Sequence, residues 1–252
     1  MRTPEEIELQ QKKTDLAALE VELADKELEL ETLIVRLDAF ELRYKRVVGV
    51  RYAELDEIEA KIAEELARRN PRDAKAKVEA KDARKKAEES TRETRGALEQ
   101  EGKEKFEPSE DLKKLYREIA KKVHPDLASD DKDRERRNKF MAEVNSAYRD
   151  GDEAKLNSLL REWESSPESV RGEGVAVELV RVIRTIARGR ERLKVIAREI
   201  DKLRESELYG LMGKDEEAGK EGRDLLGELV RMIDENIVGA TEKLRVVRKE
   251  SG

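Results

Sequence analysis

The sequence predicts an all-α protein in which long coiled-coil helices flank a small helical hairpin module. Three observations predict it. Charged residues make up 45% of the 252-residue chain, apolar residues 37% and aromatics only 4%. Glu, Lys, Arg, Leu and Ala dominate, which is the profile of long helices rather than of a thick core. Apolar residues also recur at three- and four-residue steps over most of the length, which argues against disorder. Finally, the five prolines (Pro4, Pro71, Pro108, Pro125 and Pro167) divide the chain into stretches that carry no helix breaker of that kind.

Residues 1–104 read as an N-terminal coiled coil, with a long helix over 5–69 and a second over 72–104. Pro4 suits a first helical turn. Stepping by three and four from Leu9 reaches Lys12, Leu16, Leu19, Leu23, Lys26, Leu30, Leu33, Leu37, Phe40, Tyr44 and Val47, and ten of these twelve positions are apolar. Beyond Val48 the stripe continues through Tyr52, Leu55, Ile58, Ile62 and Leu66 after a phase shift that reads as a stutter. A helix of that length spans about 100 Å and cannot bury its seam alone. After Asn70-Pro71 the chain stays helix-friendly but poor in large apolar residues, with Val78 and Leu98 among alanines and charges. Residues 1–41 hold 12 acidic and 5 basic side chains, and residues 68–95 hold 11 basic and 6 acidic. The second helix could fold back on the first as an antiparallel hairpin or extend as a charged spacer, and this complementarity favours the fold-back.

Residues 106–165 form a separate module. Leu112, Leu115, Tyr116, Ile119, Ala120 and Val123 put one apolar face on a helix between Asp111 and Val123. Lys113, Lys114, Arg117, Lys121 and Lys122 form a basic stripe leading to His124, the only histidine of the chain. Pro125 stops the helix near Val123. The run LASDDKD supplies caps for a new helix near Asp130 or Asp131. Arg137, Phe140, Met141, Val144, Ala147 and Tyr148 then repeat at helical spacing. Two antiparallel helices with facing stripes would leave the His-Pro-Asp corner exposed at one end. Gly151 breaks the chain, and Leu156, Leu159, Leu160 and Trp163 mark a third helix that caps the small core.

With His124-Pro125-Asp126, Tyr116 and Ala120 before it, and Asn145, Ala147 and Tyr148 after it, this module resembles a J domain. J domains are the helical hairpins by which DnaJ-type cochaperones engage DnaK-type chaperone ATPases. The resemblance covers about a quarter of the chain, from Phe106 to Trp163. It implies that His124, Pro125 and Asp126 dock on such an ATPase and stimulate ATP hydrolysis. Lys113, Lys114, Arg117, Lys121 and Lys122 would supply a positive face for an acidic partner. The module departs from the family where the usual opening helix is missing, so that Phe106, or Ala97 and Leu98, must complete the core. Leu127 follows the motif where lysine is common, and Glu118 stands where a basic residue is frequent. The Gly/Phe-rich and cysteine-rich segments of full DnaJ proteins are absent.

Residues 172–250 read as a C-terminal antiparallel helical hairpin. Leu179, Val182, Ile186, Gly189, Leu193, Ile196, Ile200 and Leu203 form one seam. Leu211, Leu226, Leu229, Ile233, Ile237, Ala240, Leu244 and Val247 mark the second helix, after a turn near Ser206 to Gly213. Residues 181–204 hold nine basic and three acidic side chains, so this helix suits the acidic N-terminal one.

Composition excludes several classes. Without cysteine there is no disulfide framework or thiolate metal site, and a single histidine leaves no imidazole cluster for zinc. No phosphate-binding Gly-Lys-Ser/Thr loop occurs, and no serine is paired with a base. A non-enzyme without cofactor is expected. Net charge of −6 and a pI near 5.4, without interleaved aromatics, disfavour nucleic acid. No apolar run is long enough to span a membrane. MRTPEEIELQ lacks the apolar core of a signal peptide, so a cytoplasmic location is expected. The expected function is that of a J-domain cochaperone whose coiled coils bind an unknown client, position the module or join two chains. The alternative is a coiled-coil scaffold whose J-like module engages no chaperone.

Overall fold

The computed structural model describes residues 3–99, 106–128, 130–165 and 174–249. Among them every regular element is a helix or helical turn: α1 (Pro4–Tyr44), a π-turn (Lys45–Gly49), α2 (Val50–Arg69), α3 (Ala74–Glu99), α4 (Glu110–Val123), a 3-10 turn (Pro125–Leu127), α5 (Asp131–Asp150), α6 (Glu153–Ser165), α7 (Val175–Arg204), α8 (Glu207–Lys220) and α9 (Leu225–Lys249). The protein is all-α, as expected. The linker around Pro167 and the expected end of the second helix beyond Glu99 lie outside the described residues. The chain divides into two compact units, Met1–Arg36 with Phe106–Ser206 and Leu37–Lys105 with Glu207–Gly252.

The first unit is built around the hairpin. α1 opens with a capping box: the Thr3 amide donates to the Glu6 carboxylate (2.9 Å), and the Glu6 amide donates to the Thr3 hydroxyl (3.3 Å). The Ser109 hydroxyl accepts from the Leu112 amide at 3.0 Å and so caps α4. Asp130 caps α5 through the Asp133 amide at 2.8 Å. Gly151 ends α5 in the left-handed conformation at φ 67°, which a residue with a Cβ rarely adopts. Leu112, Tyr116, Ile119, Ala120 and Val123 of α4 meet Met141, Val144, Ala147 and Tyr148 of α5, and Leu156 and Leu159 of α6 close the core. Phe106 joins this core: it is buried, with its ring edge-on to Tyr148 at 5.4 Å.

α7 runs parallel to α1 within this unit. Lys13 pairs with Glu178 (2.7 Å), Glu27 with Arg192 (2.8 Å) and Glu29 with Arg204 (2.9 Å), so partners advance together along both helices. Gly189 faces Leu19 and Leu23 of α1. A Cβ there would stand 2.7 Å from Leu19 Cδ2 and 3.1 Å from Leu23 Cδ1. The acidic-to-basic pairing expected between these segments is therefore realised, and the seam through Val182, Ile186, Ile196 and Ile200 is buried.

The second unit contains a fold-back, but the basic residues of α3 pair with acidic residues of α2 rather than with those of residues 1–41. Arg84 bonds Glu57 and Glu64, Lys86 and Ser90 both reach Asp56, and Arg46 donates to the Ala97 carbonyl. Partners descend along α2 as α3 ascends, which defines an antiparallel pair. The faces in contact differ from those expected. Tyr52, Leu66, Val78 and Leu98 are exposed, whereas Ala53, Asp56, Ala60 and Ile62 of α2 and Ala80, Ala87, Thr94 and Ala97 of α3 are buried. Ile62 belongs to the expected stripe, so the change of face is partial. Small residues let α3 lie close against α2, and the alanines rather than the largest side chains take that contact.

The C-terminal segment holds three helices rather than a two-helix hairpin. α7 ends near Ser206, whose hydroxyl donates to the Leu203 carbonyl at 2.6 Å. A second turn separates α8 from α9. Gly222 adopts φ 74°, the Arg223 amide donates to the Ala218 carbonyl (2.8 Å), and the Asp224 carboxylate accepts from the Gly227 amide (3.0 Å). The expected turn near Ser206 to Gly213 is instead the start of α8, and the spacing of apolar residues from Leu211 to Val247 does not mark the glycine-and-aspartate stop between α8 and α9.

Candidate functional site

The His-Pro-Asp segment forms the corner between α4 and α5, as the proline requires. The His124 amide completes the last turn of α4 by donating to the Ala120 carbonyl at 3.0 Å. Pro125 then opens a 3-10 turn, with Leu127 and Ala128 amides returning to the His124 and Pro125 carbonyls at 3.0 and 3.1 Å. The C-terminal end of α4 is held by Arg137 of α5. Its Nη1 donates to the carbonyls of Lys122 (2.9 Å) and His124 (3.4 Å), while its Nε bonds Asp133 at 2.9 Å. A cation placed there complements the negative end of the helix. Sequence reading had assigned Arg137 to the repeating face of α5; its work is to tie the two arms of the corner together.

The expected exposure of this corner is corrected by its surroundings. His124 is only 1% exposed, while Pro125, Asp126 and Leu127 are half-buried. The imidazole Nε2 lies 2.9 Å from Glu27 Oε1 on α1, and Nδ1 accepts from the Asp126 amide at 3.2 Å. An acceptor at Nδ1 and a donor at Nε2 describe one neutral tautomer, which satisfies both ring nitrogens. The same Glu27 oxygen accepts from Arg192 Nε of α7 at 2.8 Å. Arg188, one turn earlier on α7, donates to the Ala128 carbonyl at 2.5 Å. The two-helix hairpin alone would leave the corner open; α1 and α7 close it.

Glu27 is 8% exposed and Glu31 4%, so both are interior carboxylates. Burial pushes the Glu27 carboxyl up, but hydrogen bonds from His124 and Arg192 outweigh that and hold it below the ordinary glutamate value. The same contact holds Arg192 above its ordinary value against the opposing effect of burial. Glu31 pairs with Arg149 of α5, and Thr32 shares a 2.7 Å hydrogen bond with the Tyr148 hydroxyl. Neither glutamate belongs to the leucine seam that reveals α1. Their signal is a second stripe, Ala24, Leu28, Glu31, Val35, Ala39 and Leu42, all buried, which marks α1 as covered on two sides.

The basic stripe of α4 is present but largely neutralised. Lys113 pairs with Glu110 at 2.8 Å and Lys114 with Asp111 at 3.4 Å. Lys122 pairs with Glu118 (2.9 Å) and with Glu164 of α6 (2.5 Å). Arg117 reaches across to Asp25 of α1 at 2.8 Å. Lys121 is exposed. Burial pushes the nearby Glu20 carboxyl of α1 up, against the opposing fields of Lys121 and Arg137. Asp25, Glu20, Glu27 and Glu31 thus set the acidic side of α1 against the basic side of the hairpin.

Among the described residues no three His, Cys, Asp or Glu side chains are grouped to hold a metal ion, and no helix is long and apolar enough to cross a membrane. No family model, curated protein or solved structure matches the chain.

Proposed function

We propose that this chain is a non-enzymatic J-domain cochaperone, acting on a DnaK-type ATPase through His124, Pro125 and Asp126. The observation that carries the reading is the corner itself. An antiparallel hairpin, locked by the Tyr116–Asn145 bond (2.9 Å) and by Arg137 across the helix end, presents the tripeptide at its turn. Lys113, Lys114, Arg117, Lys121 and Lys122 lie on the helix leading to it and would orient an acidic partner surface. Asp126 suits a test better than His124, because it lies on the turn without His124's buried bond to Glu27. Covering the turn lowers apparent affinity by the fraction of open molecules rather than abolishing binding. The assay therefore uses the full chain in large excess over a DnaK-type chaperone under single-turnover conditions. Wild type accelerates ATP hydrolysis and Asp126→Asn does not; equal rates with the two proteins overturn the assignment.

A second reading is favoured by one specific observation, the burial of His124 beneath α1 and α7. On that reading the hairpin is a packing block inside a helical scaffold, and the corner has no external partner. The clients, the assembly of two chains through coiled coils and a cytoplasmic location belong to either reading.

A further inference from the structure

We infer that residues 20–31 of α1 act as an internal substitute for the acidic partner, holding the hairpin in a closed state until Glu27 lets go of His124 and Arg192. This inference rests on the cochaperone reading above and concerns the regulation of the same turn. Three observations point to it. First, the cover is acidic where the expected partner is acidic: Glu20 faces Lys121 and Arg137, Asp25 binds Arg117, Glu27 binds His124, and Glu31 binds Arg149. Second, the cover takes the very residues on which docking depends. His124 Nε2 is engaged, and Arg117 is drawn to α1. A chaperone surface and α1 cannot hold these groups together, so they compete.

Third, the contact is polar at its centre. A buried carboxylate shared by an imidazole and a guanidinium is held by directional bonds whose loss leaves uncompensated charge. Such a contact separates as a unit, unlike an interlocked apolar seam. The polar centre also differs from the rest of the α1–α7 interface, where Leu19 and Leu23 close on Gly189. Arg192 bridges the two coverings, so one substitution on α7 loosens the hold of α1 on the turn.

The test uses the full chain and two readouts. The protein has no cysteine, so Leu127→Cys introduces a single thiol beside the turn, and its modification rate reports opening without any chaperone. Glu27→Gln and, separately, Arg192→Gln are compared with wild type, with Arg192→Lys as the conservative control. Far-UV circular dichroism verifies folding. Should Glu27→Gln lose helicity, the partly exposed Arg192 remains as the informative site. The expected result is thiol modification faster by about tenfold in both glutamine variants, with a matching fall in the chain concentration giving half-maximal ATPase stimulation. Arg192→Lys stays close to wild type. An unchanged thiol rate overturns the closed state and leaves the cochaperone reading to the Asp126→Asn comparison. Faster modification with an unchanged half-maximal concentration overturns competition. Faster modification without any Asp126-dependent stimulation overturns the cochaperone reading and its regulation together.

Discussion

Tyr116 donates its hydroxyl hydrogen to Asn145 while its ring lies tilted against that of Tyr148, with centroids 4.7 Å apart, and Tyr148 in turn bonds Thr32 of α1. These two tyrosines show how far single residues were legible. Their spacing marked them as core, and Asn145 stood out only through the family resemblance, but the partner on α1 lies 116 positions away and leaves no local trace. Tyr116→Phe keeps the packing and removes one bond, so it should cost about 1 kcal/mol in urea unfolding. Glu27 carries a pH prediction. Because its carboxyl is held below its ordinary value of 4.5, its contribution to stability is fully present above that value. The contribution is lost as the pH falls through the lower folded value. Wild type should therefore lose stability between pH 5 and pH 3 more steeply than Glu27→Gln, measured by denaturant midpoints. At neutral pH Glu27→Gln should be less stable by about 1–3 kcal/mol.

At the scale of elements, the α1–α7 contact depends on the absence of a side chain at Gly189. Leu19 and Leu23 are both buried, and their methyl groups would have to shift to admit a Cβ there. Gly189→Val should overpack the crossing and destabilise the protein by about 1–3 kcal/mol, read from thermal or urea unfolding. Helix existence was legible over most of the described chain, since period, caps and prolines act locally; the exception is residues 207–213, expected as a turn and folded as the start of α8. Caps at Ser109 and Asp130 and the stop at Gly151 fall where local chemistry requires. What was not legible was which face of a helix is used. The alanines of α3 look featureless beside Val78 and Leu98, yet Ala80, Ala87 and Ala97 make the contact and the larger residues face water. A close pairing rewards small side chains, and hydrophobic strength alone points to the wrong face.

For the whole molecule, the leucine seam of α1 announced a helix in need of a partner but could not say which one. Within the first unit that need is met by the chain's own α7 and hairpin, so Leu19, Leu23, Leu30 and Leu33 are buried without a second copy. Sedimentation should accordingly give a mass near 29.0 kDa; twice that mass would point to pairing through another face. The His-Pro-Asp corner was legible from its tripeptide, and its cover was not, because Glu27 and Glu31 resemble ordinary solvated charges on a highly charged helix. Their role emerges only when α4, α5 and α7 surround them.

The π-turn at Lys45–Gly49 has a genetic corollary. Deleting one amino acid from it would return the segment to ordinary helical pitch and leave the phase of α2 nearly unchanged, because the wide turn already accommodates one residue beyond the α-helical count. Ala53, Asp56 and Ala60 would then still face α3, and Lys86 and Ser90 would keep their shared carboxylate. Single-codon losses should thus be better tolerated here than inside α2, where each would swing the residues that follow by about 100°.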